Sequence, residues 1–203
     1  MKVTPGALPG LVHLEPKVFG DARGFFFESH HQDRYAEAGV PGPFVQDNVS
    51  RSARGVLRGL HLQHPNGQGK LVQVLEGRVF DVAVDVRVGS PTFGRWEGTW
   101  LDAERHNQLY VPPGFAHGFC VASDNAIFAY KCTTFFDAEA EIGVAWDDPD
   151  LAIAWPTDAP VLSKKDVGHP RLREIPVDRL PRFSRDEAGS RPASSTKAAS
   201  AGA

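Results

Sequence analysis

Residues 58–85 read RGLHLQHPNGQGKLVQVLEGRVFDVAVD. Two apolar runs rich in β-branched residues dominate the stretch: Val72 and Val74 in the first, Val79, Val82 and Val84 in the second, with Val86 just beyond. A Pro65-Asn66-Gly67 turn precedes them and a Gly77-Arg78 break separates them. This pattern predicts a strand, a reversal and a second strand paired with the first, one face in a core. The residues ahead of the runs are polar where strand sequence is usually apolar: Arg58, His61 and Gln63, with Lys70 opening the first run. Alternate residues of a strand share a face, so His61 and Gln63 point one way and Leu62 the other. A polar face inside an otherwise closed β-unit predicts a lined cavity rather than a solvent surface.

Outward from this stretch, the chain keeps the same character. Extended sequence runs from Leu11 to Glu28, broken by a Gly20–Gly24 turn. Further strands are predicted over 44–50, 55–63, 94–101, 108–111, 118–122 and 126–134, with turns at Gly89-Ser90-Pro91, Pro112-Pro113-Gly114 and Ser123-Asp124-Asn125. The one clear helix is predicted over His30–Gly39, with Gly39 as its stop. Strands at this spacing with no helices between them argue for an all-β sandwich or jelly-roll barrel. Phe25, Phe26 and Phe27 in a row cannot all face one core. Either one face meets a second subunit or a ligand, or the strand is buried on both faces. Residues 1–183 are read as one domain, in which the Pro-interrupted segment after Trp146 supplies a short helix covering the barrel. From Ser184 to Ala203 the text is almost devoid of apolar residues larger than Ala and is read as a low-complexity, disordered tail.

The 203 residues carry a formal charge of -3 and a pI near 6.2, which points to neither nucleic acid nor a membrane surface as partner. No apolar run is long enough to span a bilayer, and the N-terminus lacks the layout of a signal peptide. The expectation is a cytoplasmic protein whose two cysteines, Cys120 and Cys132, are buried thiols. P-loop, dinucleotide-binding glycine and Ser-centred elbow motifs are missing, which sets aside ATP hydrolysis, Rossmann redox chemistry and the common hydrolases.

Eight histidines raise the question of a metal. A jelly-roll metal site takes a His-x-His pair, a later carboxylate and a histidine from a further strand. Here the pair reads His61-Leu62-Gln63, and Lys70 stands near where a carboxylate ligand is wanted. His61 and, in PPGFAHGF, His117 match, and the other two positions do not. The broken set predicts a metal-free cavity. It leaves acid–base chemistry: an imidazole suited to abstracting a proton next to a carbonyl, Lys70 or His117 to stabilise an enolate oxygen, and Tyr130 to return a proton from the other side. Arg23, Arg51, Arg54, Arg58 and Lys70 are cations suited to diphosphate oxygens, though spacing does not say which converge.

The segments GDARGFFFES, VQDNVSRS, GVLRGLHLQ, QGKLVQVLEGRVFDVAVDVRVGSPTFG, YVPPGFAHGF, EIGVAWDDPDLAIAWP and LSKKD, in this order between Leu11 and Asp166, closely resemble the dTDP-4-dehydrorhamnose 3,5-epimerase family. The resemblance implies a cupin jelly roll (double-stranded β-helix) with short peripheral helices, a homodimer, and no metal or organic cofactor. It also implies a dTDP-4-keto-6-deoxyhexose as substrate: dTDP-4-dehydro-6-deoxy-D-glucose, inverted at carbons 3 and 5. Carried over by motif, His61 is the general base, Asp166 orients it, Tyr130 is the opposite-face proton donor and Lys70 steadies the enolate. Arg23, Glu28, Gln46, Asp47, Asn48, Arg58, His117, Glu141 and Lys165 would hold nucleotide and sugar. The N-terminal strand residues would reach across the dimer, which gives the phenylalanine run a use.

Overall fold

The computed structural model describes residues 1–184, so the expected tail, but for its first residue, lies outside the described residues. In chain order the elements are β1 (Lys2–Pro5), β2 (Val12–Glu15), β3 (Val18–Asp21), β4 (Gly24–Phe27), the helix α1 (Gln32–Glu37), β5 (Gln46–Ala53) and β6 (Leu57–Gln63). Next come β7 (Lys70–Glu76), β8 (Arg78–Asp85), β9 (Trp96–Asp102), β10 (Gln108–Val111), β11 (Phe115–Val121), β12 (Asn125–Cys132), β13 (Glu141–Gly143) and a one-turn helix α2 (Lys164–Val167). Six strands form one antiparallel sheet in the order β1-β2-β10-β7-β12-β5, and five form another, β13-β6-β11-β8-β9. The hairpin β3-β4 stands apart as a two-stranded sheet. This is the all-β jelly roll that the strand spacing predicts.

One expectation is corrected. β7 and β8 follow each other in sequence but do not pair. β7 lies between β10 and β12 in the larger sheet, and β8 lies between β11 and β9 in the smaller. The chain switches sheets at Gly77, which has φ 79°. A Cβ there would come within 2.1 Å of the Asn125 carbonyl oxygen, so the corner accepts no side chain. Periodicity reports that a segment is a strand; it does not report its partner.

Alternation sorts the side chains as the pattern requires. Val72, Val74, Val79, Ala83, Phe119 and Phe128 fill one part of the space between the sheets. On the outer face of the smaller sheet, Leu60, Leu62, Val82 and Val84 pack against Leu151, Leu172, Ile175 and Leu180 of the C-terminal segment. At roughly 1.5–3 kcal/mol for each fully buried side chain, those four anchors hold a segment that has little regular structure. The predicted helix is present, shorter by two residues at its start, with His31 as N-cap and Gly39 just past its end at φ 85°. Cys120 and Cys132 are buried free thiols, as read. Phe25 and Phe26 are 64% and 69% exposed, so the reading of a strand buried on both faces does not hold for this chain.

Candidate active site

The inward faces of both sheets turn polar at one end of the barrel and line a cavity of about 410 Å³. β6 brings Arg58 and His61, and β11 brings His117; the opposite sheet brings Lys70 from β7, Tyr130 from β12 and Asn48 from β5. Ser163, Lys165 and Asp166 close one side from the α2 segment. A second space of about 310 Å³ shares Asn48, His61, Lys70 and Tyr130 and adds Gln46, Gln63 and Glu141. His61 and Tyr130 therefore look into one cavity from different sheets.

β6 and β11 approach closely beside the two histidines. Gly59, at φ 119°, faces Gly118, and a Cβ on Gly59 would lie 2.6 Å from the Gly118 Cα. The ladder shifts register between His117 and Phe119 at this point, and His117 is left directly opposite His61.

His61 is held from behind. Its Nε2 lies 2.6 Å from Asp166 Oδ1, and the Ser163 hydroxyl donates to Asp166 Oδ2 at 2.8 Å. Burial pushes the Asp166 carboxyl up, but the hydrogen bonds from His61 and Ser163 and the nearby imidazoles outweigh it and bring it to about 2. An ionised Asp166 makes Nε2 the donor, so the His61 lone pair sits on Nδ1, which lies 3.9 Å from Glu141 Oε1. Across the cavity, burial raises the Tyr130 phenol above its ordinary value, with nearby Cys132 and Glu141 adding to the rise and Arg58 opposing it. The phenol is therefore protonated at neutral pH. Burial lowers Lys70, against the pull of Cys132, Glu141 and Asp81. This arrangement supplies an imidazole, a phenol facing it from the other sheet and the Lys70 amine on the cavity wall.

Sequence reading missed two members of the site, Asp81 and Ser163, and one residue that lies behind it, His169. Asp81 on β8 is fully buried, and both its oxygens lie 2.9 Å from His117 Nε2, so His117 is a strand residue with its own carboxylate. A lone acid in the apolar run VFDVAVD is the signal that would have found it, because strand carboxylates are seldom buried without a partner. Ser163 and His169 lie in irregular sequence that carries no such signal. Of the predicted residues, Arg23, Glu28 and Asp47 are not brought to the cavity of this chain. Arg23 pairs with Asp21 at the tip of the β3-β4 hairpin, Glu28 pairs with Arg34, and Asp47 lies on the outer face of β5 against Lys131.

The family model described as dTDP-4-dehydrorhamnose 3,5-epimerase matches residues 5–174. The chain belongs to the dTDP-4-dehydrorhamnose 3,5-epimerase family. A Pseudomonas aeruginosa relative of that name is 58% identical over 168 residues, which is 82% of this chain and 93% of the relative. The crystal structure of a Legionella pneumophila dTDP-6-deoxy-D-glucose-3,5-epimerase in complex with dTDP-4-keto-L-rhamnose matches with a TM-score of 0.88 and 50% identity, over 90% of this chain and 98% of that one. A Streptomyces niveus relative named dTDP-4-dehydrorhamnose 3-epimerase is 46% identical over 168 residues, 82% of this chain and 81% of its own.

The jelly-roll metal set does not fit the residues of this epimerase-family chain. The Gln63 amide is fully engaged, donating to the Asn66 and Phe135 carbonyls at 3.3 Å and accepting from Asp137 N at 2.9 Å. His117 is committed to Asp81, and Lys70 stands on the cavity wall where the set wants a carboxylate.

Proposed function

We propose that this chain is a dTDP-4-dehydrorhamnose 3,5-epimerase that converts dTDP-4-dehydro-6-deoxy-D-glucose to dTDP-4-dehydro-L-rhamnose. The observation that carries this is the pairing of an Asp166-backed imidazole and a protonated phenol on opposing walls of one cavity. The 4-keto group acidifies both neighbouring carbons, so one carbonyl serves two inversions. His61 Nδ1 takes the proton from one face of the ring, the enolate oxygen is steadied by Lys70 with His117 nearby, and Tyr130 returns a proton from the other face. Asn48 and Arg58 line the same cavity, Lys165 reaches it paired to Glu141, and these with Gln46 hold the sugar nucleotide. Neither metal nor organic cofactor takes part.

The double inversion is favoured over a single one by the nearer likeness to the double epimerase, 58% against 46% identity. Turnover in deuterated water decides between them: a double epimerase incorporates one deuterium at carbon 3 and one at carbon 5, and label confined to either carbon reduces the activity to a single inversion.

Arg23 and Glu28 take part from a neighbouring chain. The β3-β4 hairpin exposes Phe19, Phe25 and Phe26 by more than half, an apolar surface that a second subunit would cover while setting Arg23 beside the partner's cavity. Light scattering coupled to size exclusion is expected to give twice the 22.1 kDa chain mass, and Phe26→Asp is expected to shift the population to monomer with loss of substrate affinity. A wild-type chain that elutes at monomer mass overturns this arrangement. The two buried thiols suit a reducing compartment, in keeping with action in the cytoplasm. Among the described residues no helix is long and apolar enough to cross a membrane.

A further inference from the structure

His169 takes no part in the chemistry above, yet it stands behind the proposed base. Its ring meets that of His61 edge-on, 5.4 Å between centroids at 87°. Its Nε2 lies 3.4 Å from Asp166 Oδ1, the same oxygen that His61 Nε2 holds at 2.6 Å. The side chain is only 10% exposed and Nε2 is buried without a hydrogen-bond partner. A buried polar nitrogen left without a hydrogen bond is disfavoured. The ring lies directly on Gly143, where a Cβ would come within 2.1 Å of its Nδ1.

Two imidazole nitrogens and one carboxylate oxygen thus converge, all within 4.8 Å of one another. Two histidines and a carboxylate are a donor set that borderline-soft divalent ions such as zinc accept, with the remaining position left to water. The orphaned His169 nitrogen is the atom that such an ion would satisfy.

We propose that His61, Asp166 and His169 form an inhibitory zinc site on the back of the proposed base. The inhibition follows from the tautomer and rests on the reading of His61 as that base. A neutral imidazole carries one ring proton. While Nε2 donates it to Asp166, Nδ1 keeps the lone pair that abstracts a sugar proton. A zinc ion needs the Nε2 lone pair, so the ring proton moves to Nδ1 and the face turned to the substrate can no longer act as a base. The metal therefore stops the reaction by moving one proton around a ring, with the sugar-nucleotide pocket itself left open.

The test uses the full chain stripped with EDTA. Turnover of this metal-free protein is measured first and stands as the separate check on the epimerase reading. Zinc chloride is then titrated calorimetrically and against turnover. One equivalent is expected to bind, to abolish turnover with little change in affinity for the sugar nucleotide, and to be reversed by EDTA. His169→Phe, which keeps a ring on Gly143 but offers no ligand atom, and His169→Ala, which covers the case of a poor fit, are both expected to retain metal-free turnover. Both are expected to bind zinc at least ~10-fold more weakly, the loss that even an outer partner of a metal site typically causes. Absence of binding at micromolar zinc, full turnover at saturation, or unchanged binding in both variants overturns the site. Each of these leaves the metal-free turnover, and hence the epimerase reading, to be judged on its own.

Discussion

Asparagine in place of His61 lowers turnover by about 10²–10⁴-fold, the usual contribution of a positioned general base. Affinity for the sugar nucleotide is little changed, because Lys70, Asn48 and Arg58 stay on the walls of the cavity. The amide has the size to remain against Asp166 but offers no lone pair that accepts a proton at neutral pH. The loss therefore falls on kcat, and exchange of deuterium from solvent into carbons 3 and 5 falls with it. Calorimetry with the substrate, alongside single-turnover rates, separates the two quantities. A non-catalytic sugar-binding jelly roll would show the reverse, with affinity lost and no turnover to lose. A variant whose turnover stays within about tenfold of the parent removes His61 from the role of base.

Replacement of Asp85 by alanine gives the largest loss of stability expected of a single side chain here. Asp85 is fully buried near the end of β8 and accepts from Arg87 Nε at 2.9 Å, Arg87 Nη2 at 2.8 Å, and the Ser90 and Thr92 hydroxyls at 2.6 Å. Burial alone would raise its carboxyl, but these donors outweigh burial and hold it below the ordinary value, so it is ionised at neutral pH. The Arg87 side chain is only 3% exposed and lies over the Phe115 ring. Alanine removes the one acceptor that Arg87, Ser90 and Thr92 all share, and breaking a buried pair in this way costs roughly 3–5 kcal/mol. For a chain of this length that is a fall in Tm of roughly 6–20 °C, at about 2–4 °C per kcal/mol. Asp85 lines neither part of the cavity, so turnover at room temperature persists in whatever fraction is folded. A melt followed by circular dichroism reads the shift, and a fall smaller than about 3 °C shows that the network contributes little.

The strand-rich architecture and the core of the site were legible because they are periodic. Val72, Val74, Val79 and Ala83 alternate as buried strand residues must, and the same alternation put His61 and Gln63 on one face with Leu62 on the other, as the structure finds. The roles given to Asp166, Glu141 and Lys165 came from the family resemblance and have no periodic signature. What stayed hidden is what alternation does not encode. It cannot say that β7 and β8 part company at Gly77, since a hairpin and a change of sheet present the same pattern over so short a turn. It cannot show that an acid in an apolar strand, Asp81, is the partner of a histidine 36 residues later. His169 is set by the path of an irregular segment over Gly143, which depends on the whole fold being in place. The short strands β1 and β13 were likewise missed; neither is an apolar run set off by a Pro-Gly turn, as four-residue β10 is.

The change of sheet at Gly77 bears on how the chain becomes competent. Lys70 and Asp81 are near neighbours along the backbone yet end on facing walls, and His61 meets its aspartate across 105 positions of sequence. No single hairpin holds the imidazole, its aspartate and the phenol together, so no early hairpin can assemble a working site. Assembly dominated by such distant pairings is slow, in the millisecond-to-second range for small β-proteins. Turnover needs His61, Tyr130 and Asp166 brought together, so its return after dilution from denaturant reports closure of the barrel together with docking of the second subunit.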